Sequence, residues 1–154
     1  FKENTAQVIE IPGHTTGHIA FYFEDEKIVF TGDTLFALGC GRLFEGTPEM
    51  MWNSLKKLKN LPDDTKVYCG HEYTLSNAKF LKSVISNDLI NKKIEELKKL
   101  ELDKTPSIPS TIKEEKELNL FFQSDNSDLK IQLNMKDKTD EETFAYLRNL
   151  KDNF

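Results

Sequence analysis

The sequence predicts a mixed α/β chain, with a strand-rich first part that contains one helix to about residue 74 and a helical second part over 75–154. Three observations lead there. Short apolar runs separated by turn residues fill the first 35 positions, apolar residues then recur at helical spacing, and from Leu75 onward there is almost no strand signal. The balance of 21 basic against 26 acidic residues, net −5, argues against a nucleic-acid binder that works by bulk charge. No apolar run approaches the ~20 residues of a membrane span, so no membrane partner is expected. Two cysteines are too few for a disulfide scaffold, and the expected compartment is reducing and cytoplasmic.

Val8, Ile9 and Ile11 form a first strand stopped by Pro12-Gly13. Ile19 to Phe23 and Lys27 to Thr31 are a second and third strand, joined through Asp25-Glu26 as a hairpin. Gly32 and Asp33 end the third strand in a loop. Thr47 is an N-cap, Pro48 suits the first helical position, and Met51, Leu55 and Leu58 share one helix face that Pro62-Asp63 ends. Lys66 to Cys69 is a further strand running into Gly70-His71. Phe80 and Val84 mark one amphipathic helix, and Leu89 to Leu102 another with Ile90, Ile94 and Leu97 inward. Thr105 to Thr111 reads as a loop because of its prolines, and Gln123 to Asp128 as a polar surface loop. Thr111 with Glu114, and Thr139 with Glu142, have capping-box spacing.

All three histidines lie in the first part, each beside glycine or threonine at a strand end: His14 and His18 in Pro-Gly-His-Thr-Thr-Gly-His, and His71 in Cys-Gly-His-Glu-Tyr. Asp33 sits similarly in Thr-Gly-Asp-Thr. Glycine there lets the backbone bend and aim its neighbour into a shared cleft, and imidazole with carboxylate suits zinc, iron or manganese. His14, Asp33 and His71 are the candidate ligands. They are separated by 19 and 38 residues, so only a layered sheet that gathers several strand ends can bring them together. His18, four residues past His14 and entering a strand, is expected to make a structural hydrogen bond instead. Of 21 basic residues only Arg42 and Arg148 are arginine. An arginine kept against such a bias suits a bidentate grip on a carboxylate.

These runs, together with Gly39-Cys40-Gly41-Arg42, Glu45-Gly46, Cys69-Gly70-His71-Glu72-Tyr73-Thr74, Pro109-Ser110-Thr111 and the Arg148…Lys151-Asp152-Asn153-Phe154 ending, resemble glyoxalase II, the hydroxyacylglutathione hydrolases of the metallo-β-lactamase superfamily. The resemblance covers nearly the whole chain. It implies the C-terminal part of an αββα metallo-β-lactamase sandwich over 1–74 and an all-helical glutathione-binding domain over 75–154. It also implies two divalent metal ions, zinc first and iron or manganese as alternatives. His14 would ligate one ion and His71 the other, and Asp33, the catalytic carboxylate, would bridge both. A metal-bound hydroxide would then hydrolyse S-D-lactoylglutathione to glutathione and D-lactate, a step in methylglyoxal detoxification. Arg42, Tyr73, Arg148 and Lys151 would contact the glutathione thioester.

Two departures bear on function. Phe44 stands where the family often has a tyrosine that touches the glutathione backbone. The family's Thr-His-x-His-x-Asp-His run, the source of four more metal ligands, does not occur in the chain. The expectation is therefore a C-terminal portion of the enzyme, weakly active or inactive alone, whose uncovered apolar sheet face promotes self-association unless an upstream segment covers it. A persulfide dioxygenase or lactonase of the same superfamily fits less well, because the helical tail with Arg148 and Lys151 would be absent. A non-catalytic chain that binds glutathione-like anions or a protein partner is the reading of a different class.

Overall fold

The computed structural model describes residues 5–85 and 87–154. Five strands form one sheet: β1 (Gln7–Glu10), β2 (Ile19–Phe23), β3 (Ile28–Gly32), β6 (Lys66–Cys69) and β7 (Ser110–Thr111), in the order β1-β2-β3-β6-β7. β1, β2 and β3 pair antiparallel, β6 runs parallel to β3, and β7 closes the edge antiparallel to β6. Between β3 and β6 the chain makes a two-stranded hairpin, β4 (Leu35–Phe36) and β5 (Gly39–Cys40), then helix α1 (Pro48–Lys59). Parallel strands need such a crossover, and α1 supplies it. Thr47 accepts from the Met50 N–H at its start, with Pro48 in the first turn.

The rest is mainly helical: α2 (Thr74–Val84), α3 (Asp88–Leu102), α4 (Ile112–Leu118), α5 (Ser127–Gln132) and α6 (Asp140–Asp152). The sequence expectation of an all-helical second part is corrected by β7. Ser110 and Thr111, read as the end of a loop, extend the sheet of the first part through pairing with Val67 and Lys66, a long-range contact with no local signature. α5 likewise begins at Ser127, inside the stretch read as loop, capped by the Asn126 side chain on the Leu129 N–H. Only one of the two expected capping boxes closes in both directions. Thr139 and Glu142 exchange both bonds, whereas Glu114 turns away from Thr111 and pairs with Lys93 at 2.7 Å.

One face of the sheet is dry. Ala20, Tyr22, Val29 and Val67 are buried with Met51, Trp52, Leu55 and Leu58 of α1 in the hydrophobic core. That core continues without a break into the helical part, because Trp52 stacks on Phe144, Phe144 tilts onto Phe121, and Phe121 stacks on Phe80. The opposite face is open: Phe21 is 43% exposed and Phe30 45%, with Val8 and Ile19 also exposed. Phe30 stacks on Tyr68 there, so the open face holds a contiguous aromatic patch.

Candidate metal centre and ligand cavity

The loops at one end of the sheet converge on Asp33, which follows β3. Gly32 before it has φ +51°, and a Cβ at that position would lie 2.4 Å from His18 Nε2. Glycine is therefore required for the turn that presents the carboxylate. Gly70 is required for a different reason: a Cβ there would come within 2.5 Å of Asp33 Oδ1. His18 Nε2 accepts from the Asp33 backbone N–H at 3.0 Å. Its lone pair is thereby used, and His18 holds the turn, the structural role its position suggested.

The two oxygens of Asp33 face two imidazoles. His14 Nε2 lies 3.6 Å from Oδ2, and His71 Nε2 lies 3.5 Å from Oδ1. His14 Nδ1 is 2.9 Å from the Arg42 carbonyl, which can only accept, so Nδ1 carries a proton, and in that tautomer the Nε2 lone pair turns toward Asp33. Two electron-rich atoms face each other at the separation of two donors on one tetrahedral metal, about 3.3 Å for ligand bonds near 2.0–2.1 Å. The donor chemistry thus fits a divalent ion on each side of the carboxylate. The donor number is half of what such ions use. Each position has two side-chain donors, and among the described residues no group of three or more His, Cys, Asp or Glu side chains gathers at one point.

The His14 loop is fixed from Arg42–Gly46. The Phe44 N–H donates to His14 O, the Gly46 N–H to Gly13 O, and Glu45 accepts from both the N–H and the hydroxyl of Thr16. His71 stacks on Tyr73 with centroids 4.9 Å apart, and Phe36 packs against both rings. Glu72 turns outward to the N–H and hydroxyl of Ser107 and the hydroxyl of Thr74. Burial acts to raise its pKa, but these hydrogen bonds outweigh burial and hold it below the usual carboxylate range.

A cavity of about 700 Å³ opens beside this centre, and all seven candidate residues, His14, Asp33, Arg42, His71, Tyr73, Arg148 and Lys151, line it. The three cations differ in what they can still do. Lys151 on α6 makes no ion pair among the described residues, and its ammonium lies 5.0 Å from the Phe80 ring centroid and 5.1 Å from that of Phe154. Burial lowers its pKa, helped by the charges of Arg148 and Arg42. Arg42 is largely exposed, with Nε 3.6 Å from Asp152. Arg148 is buried, and its guanidinium is not the open fork the sequence suggested. Nε and Nη2 bind Asp152 Oδ1 at 3.2 and 2.9 Å, Nη1 binds the Cys40 carbonyl at 2.8 Å, and the group lies over Phe121. Arg148 therefore ties α6 to β5 and carries its charge in the cavity wall. Sequence reasoning missed Phe36, Cys40, Ser76, Asn77 and Phe154 as lining residues. Only their closeness to the recognised motifs could have suggested them.

The likeness to known proteins agrees with this geometry. Residues 1–71 match the metallo-β-lactamase superfamily, and residues 72–154 match the C-terminus of hydroxyacylglutathione hydrolases. The structure of ETHE1 from Myxococcus xanthus superposes with a TM-score of 0.57 at 26% identity, over 96% of this chain and 47% of that one. These matches define a metallo-β-lactamase-type chain with a specialised C-terminal region. The chain belongs to the hydroxyacylglutathione hydrolase family, also called glyoxalase II. It is 48% identical to the hydroxyacylglutathione hydrolase of Rhizobium etli over its whole length and 52% identical to that of Pelagibacter ubique over 97% of it. It spans about 60% of the length of the first relative and 57% of the second.

Proposed function

We propose that the chain supplies the bridging carboxylate and the glutathione-binding wall of an enzyme that hydrolyses S-2-hydroxyacylglutathione thioesters, S-D-lactoylglutathione first among them. One observation carries this reading: a carboxylate set between two imidazoles opens onto a cavity that Arg42, Arg148 and Lys151 also line. His14 and Asp33 would hold one divalent ion, and Asp33 and His71 the other. Zinc is the proposed metal, with iron or manganese able to use the same donors. Such ions supply charge stabilisation at a thioester carbonyl and an activated water at neutral pH. The chain's own residues do the rest. His14 is held in the ligating tautomer by the Arg42 carbonyl, and Asp33 keeps one oxygen for each side. Lys151 and Arg42 attract the carboxylates of glutathione, with Arg148 adding charge from behind, and Tyr73 with Phe36 walls the space next to His71. Thiolate is a good leaving group, so the reaction needs no protein acid.

With two donors per position, the isolated 154-residue chain is proposed to bind metal weakly and to turn over little, and to self-associate through the Phe21–Phe30–Tyr68 face. The compartment is proposed to be reducing and cytoplasmic, with Cys40 and Cys69 as free thiols. The test is to express the polypeptide as encoded, including any sequence upstream of Phe1, beside residues 1–154. Metal content and S-D-lactoylglutathione hydrolysis are then measured for both. Hydrolysis by the encoded polypeptide, with much less by residues 1–154, is expected. No hydrolysis by the metal-loaded encoded polypeptide would refute the assignment. Full metal occupancy and turnover by residues 1–154 would refute the proposed weakness of the chain.

A further inference from the structure

The β4–β5 hairpin is an improbable piece of local structure. Its two-residue turn is Ala37-Leu38, where tight hairpins ordinarily use Asn-Gly, Asp-Gly or a glycine pair, and Leu38 takes φ +61° although it is buried and branched. A non-glycine residue in the left-handed region brings its Cβ against its own backbone, and such strain persists only where surroundings over-determine it. The surroundings here are polar side chains of the helical part. Asn77 of α2 donates to Ala37 O at 3.0 Å, Glu115 of α4 accepts from the Leu38 N–H at 2.9 Å, and Asn119 donates to Gly39 O at 3.1 Å. Arg148 of α6 donates to Cys40 O. Four consecutive residues of the hairpin, Ala37 to Cys40, are thus held by side chains of α2, α4 with its C-cap, and α6. Glu115 sits at the centre, fully buried, and its Oε2 also accepts from Asn119 Nδ2 at 2.8 Å.

A buried carboxylate is costly unless it is paired, and among the described residues Glu115 has no cationic partner; its Oε2 is instead spent on the Leu38 N–H and the Asn119 amide. The hairpin it fixes carries Phe36 and Cys40 into the cavity and leads through Gly41 to Arg42 and the carbonyl that orients His14. We infer that Glu115 is a positioning residue for the ligand cavity: through the Leu38 N–H it fixes the hairpin that shapes the wall between the metal side and the cationic side. This rests on the glutathione-thioester reading for the nature of the ligand, but the hairpin clamp itself does not.

The experiment uses the encoded polypeptide as wild type, Glu115→Leu, which removes the acceptor, and Glu115→Gln, which keeps one. Hydrogen exchange at the Leu38 amide reports the clamp. Calorimetric titration with S-methylglutathione, and KM against kcat for S-D-lactoylglutathione, report the cavity. Glu115→Leu is expected to speed Leu38 exchange at least tenfold and to raise both Kd and KM about five- to tenfold. Its kcat should move less, and Glu115→Gln should restore both binding constants to within about twofold of wild type. Should Glu115→Leu fail to fold, Asn119→Ala, which cuts the bonds to Gly39 and to the carboxylate, is expected to shift exchange and Kd in the same direction. A folded Glu115→Leu or Asn119→Ala protein with unchanged Leu38 exchange, or with faster exchange and unchanged Kd, would overturn the positioning role. A wild type that binds no S-methylglutathione would instead overturn the functional reading, and with it the ligand half of this inference.

Discussion

The sheet part and the helical part build the same cavity by opposite means. The sheet part delivers His14, Asp33 and His71 from strand ends: Gly32 makes the turn before Asp33 possible, and Gly70 before His71 leaves room for the Asp33 carboxylate. The helical part delivers Lys151 and Arg148 from α6, and it also sends Asn77, Glu115, Asn119 and Arg148 back to hold the backbone of the hairpin in the sheet part. Metal-suited donors thus depend on local chain geometry, whereas the ligand wall depends on contacts across 40 to 108 residues of sequence. The division of labour is chemical, but the two parts are not mechanically independent.

The two parts are joined most strongly at the shared core. Phe144→Ala removes the ring that joins Trp52 of the sheet part to Phe121 of the helical part, and should cost ~3–5 kcal/mol of unfolding free energy. Urea denaturation should still show one transition if the parts fold together. Two separate transitions in the wild type would mean the aromatic chain does not couple them.

The next effect is a pH dependence at the clamp. Burial lifts the Glu115 carboxyl to about 7, against hydrogen bonds from Ser110, Asn119 and the Leu38 N–H that act to lower it. The Ser110 hydroxyl lies beside the carboxyl without making a hydrogen bond of normal geometry. The folded chain therefore binds this proton more tightly than the unfolded chain does. Its contribution to stability is full below about pH 4.5, is lost as pH rises to about 7, and is flat beyond. Between pH 5 and pH 8 the wild type should lose about 2–3 kcal/mol relative to Glu115→Gln, measured by urea unfolding of both proteins. Equal pH slopes would mean the carboxyl titrates normally.

Smaller effects lie in the cavity. Lys151→Ala should raise KM for S-D-lactoylglutathione about tenfold with a lesser change in kcat, since a hydrogen bond between charged groups contributes about 1.5–3 kcal/mol before screening at the open side. A fall in kcat with unchanged KM would move Lys151 from ligand binding to the chemical step. Phe44 is exposed at the cavity rim with its ring 5.0 Å from that of His14. Phe44→Tyr adds one hydroxyl worth ~0.5–1.5 kcal/mol, so KM should fall modestly; an unchanged or higher KM would place this side chain away from the ligand.

The same contrast explains what could be read from the sequence. β2 has the bounds its apolar run predicts, and α1 starts at Pro48 as its cap requires, because both signals are local. The candidate ligands were legible because each directly follows a glycine at a strand end. The β4–β5 hairpin was not, since Ala37-Leu38 has no turn chemistry and is shaped by Glu115 and Asn77 from far along the chain. β7 escaped for a similar reason, as two residues after Pro109 acquire strand geometry only from β6. Arg148 was found, but its partner was not: the carboxylate it grips is Asp152, one turn further along its own helix.

Asp33 is proposed to stand between two metal positions and to serve both. Zinc titration of the metal-free encoded polypeptide, wild type against Asp33→Ala, tests it most directly. Two ions per chain in the wild type and loss of tight binding at both positions in the variant are predicted. Two ions retained by Asp33→Ala, or a single ion in the wild type, would contradict it.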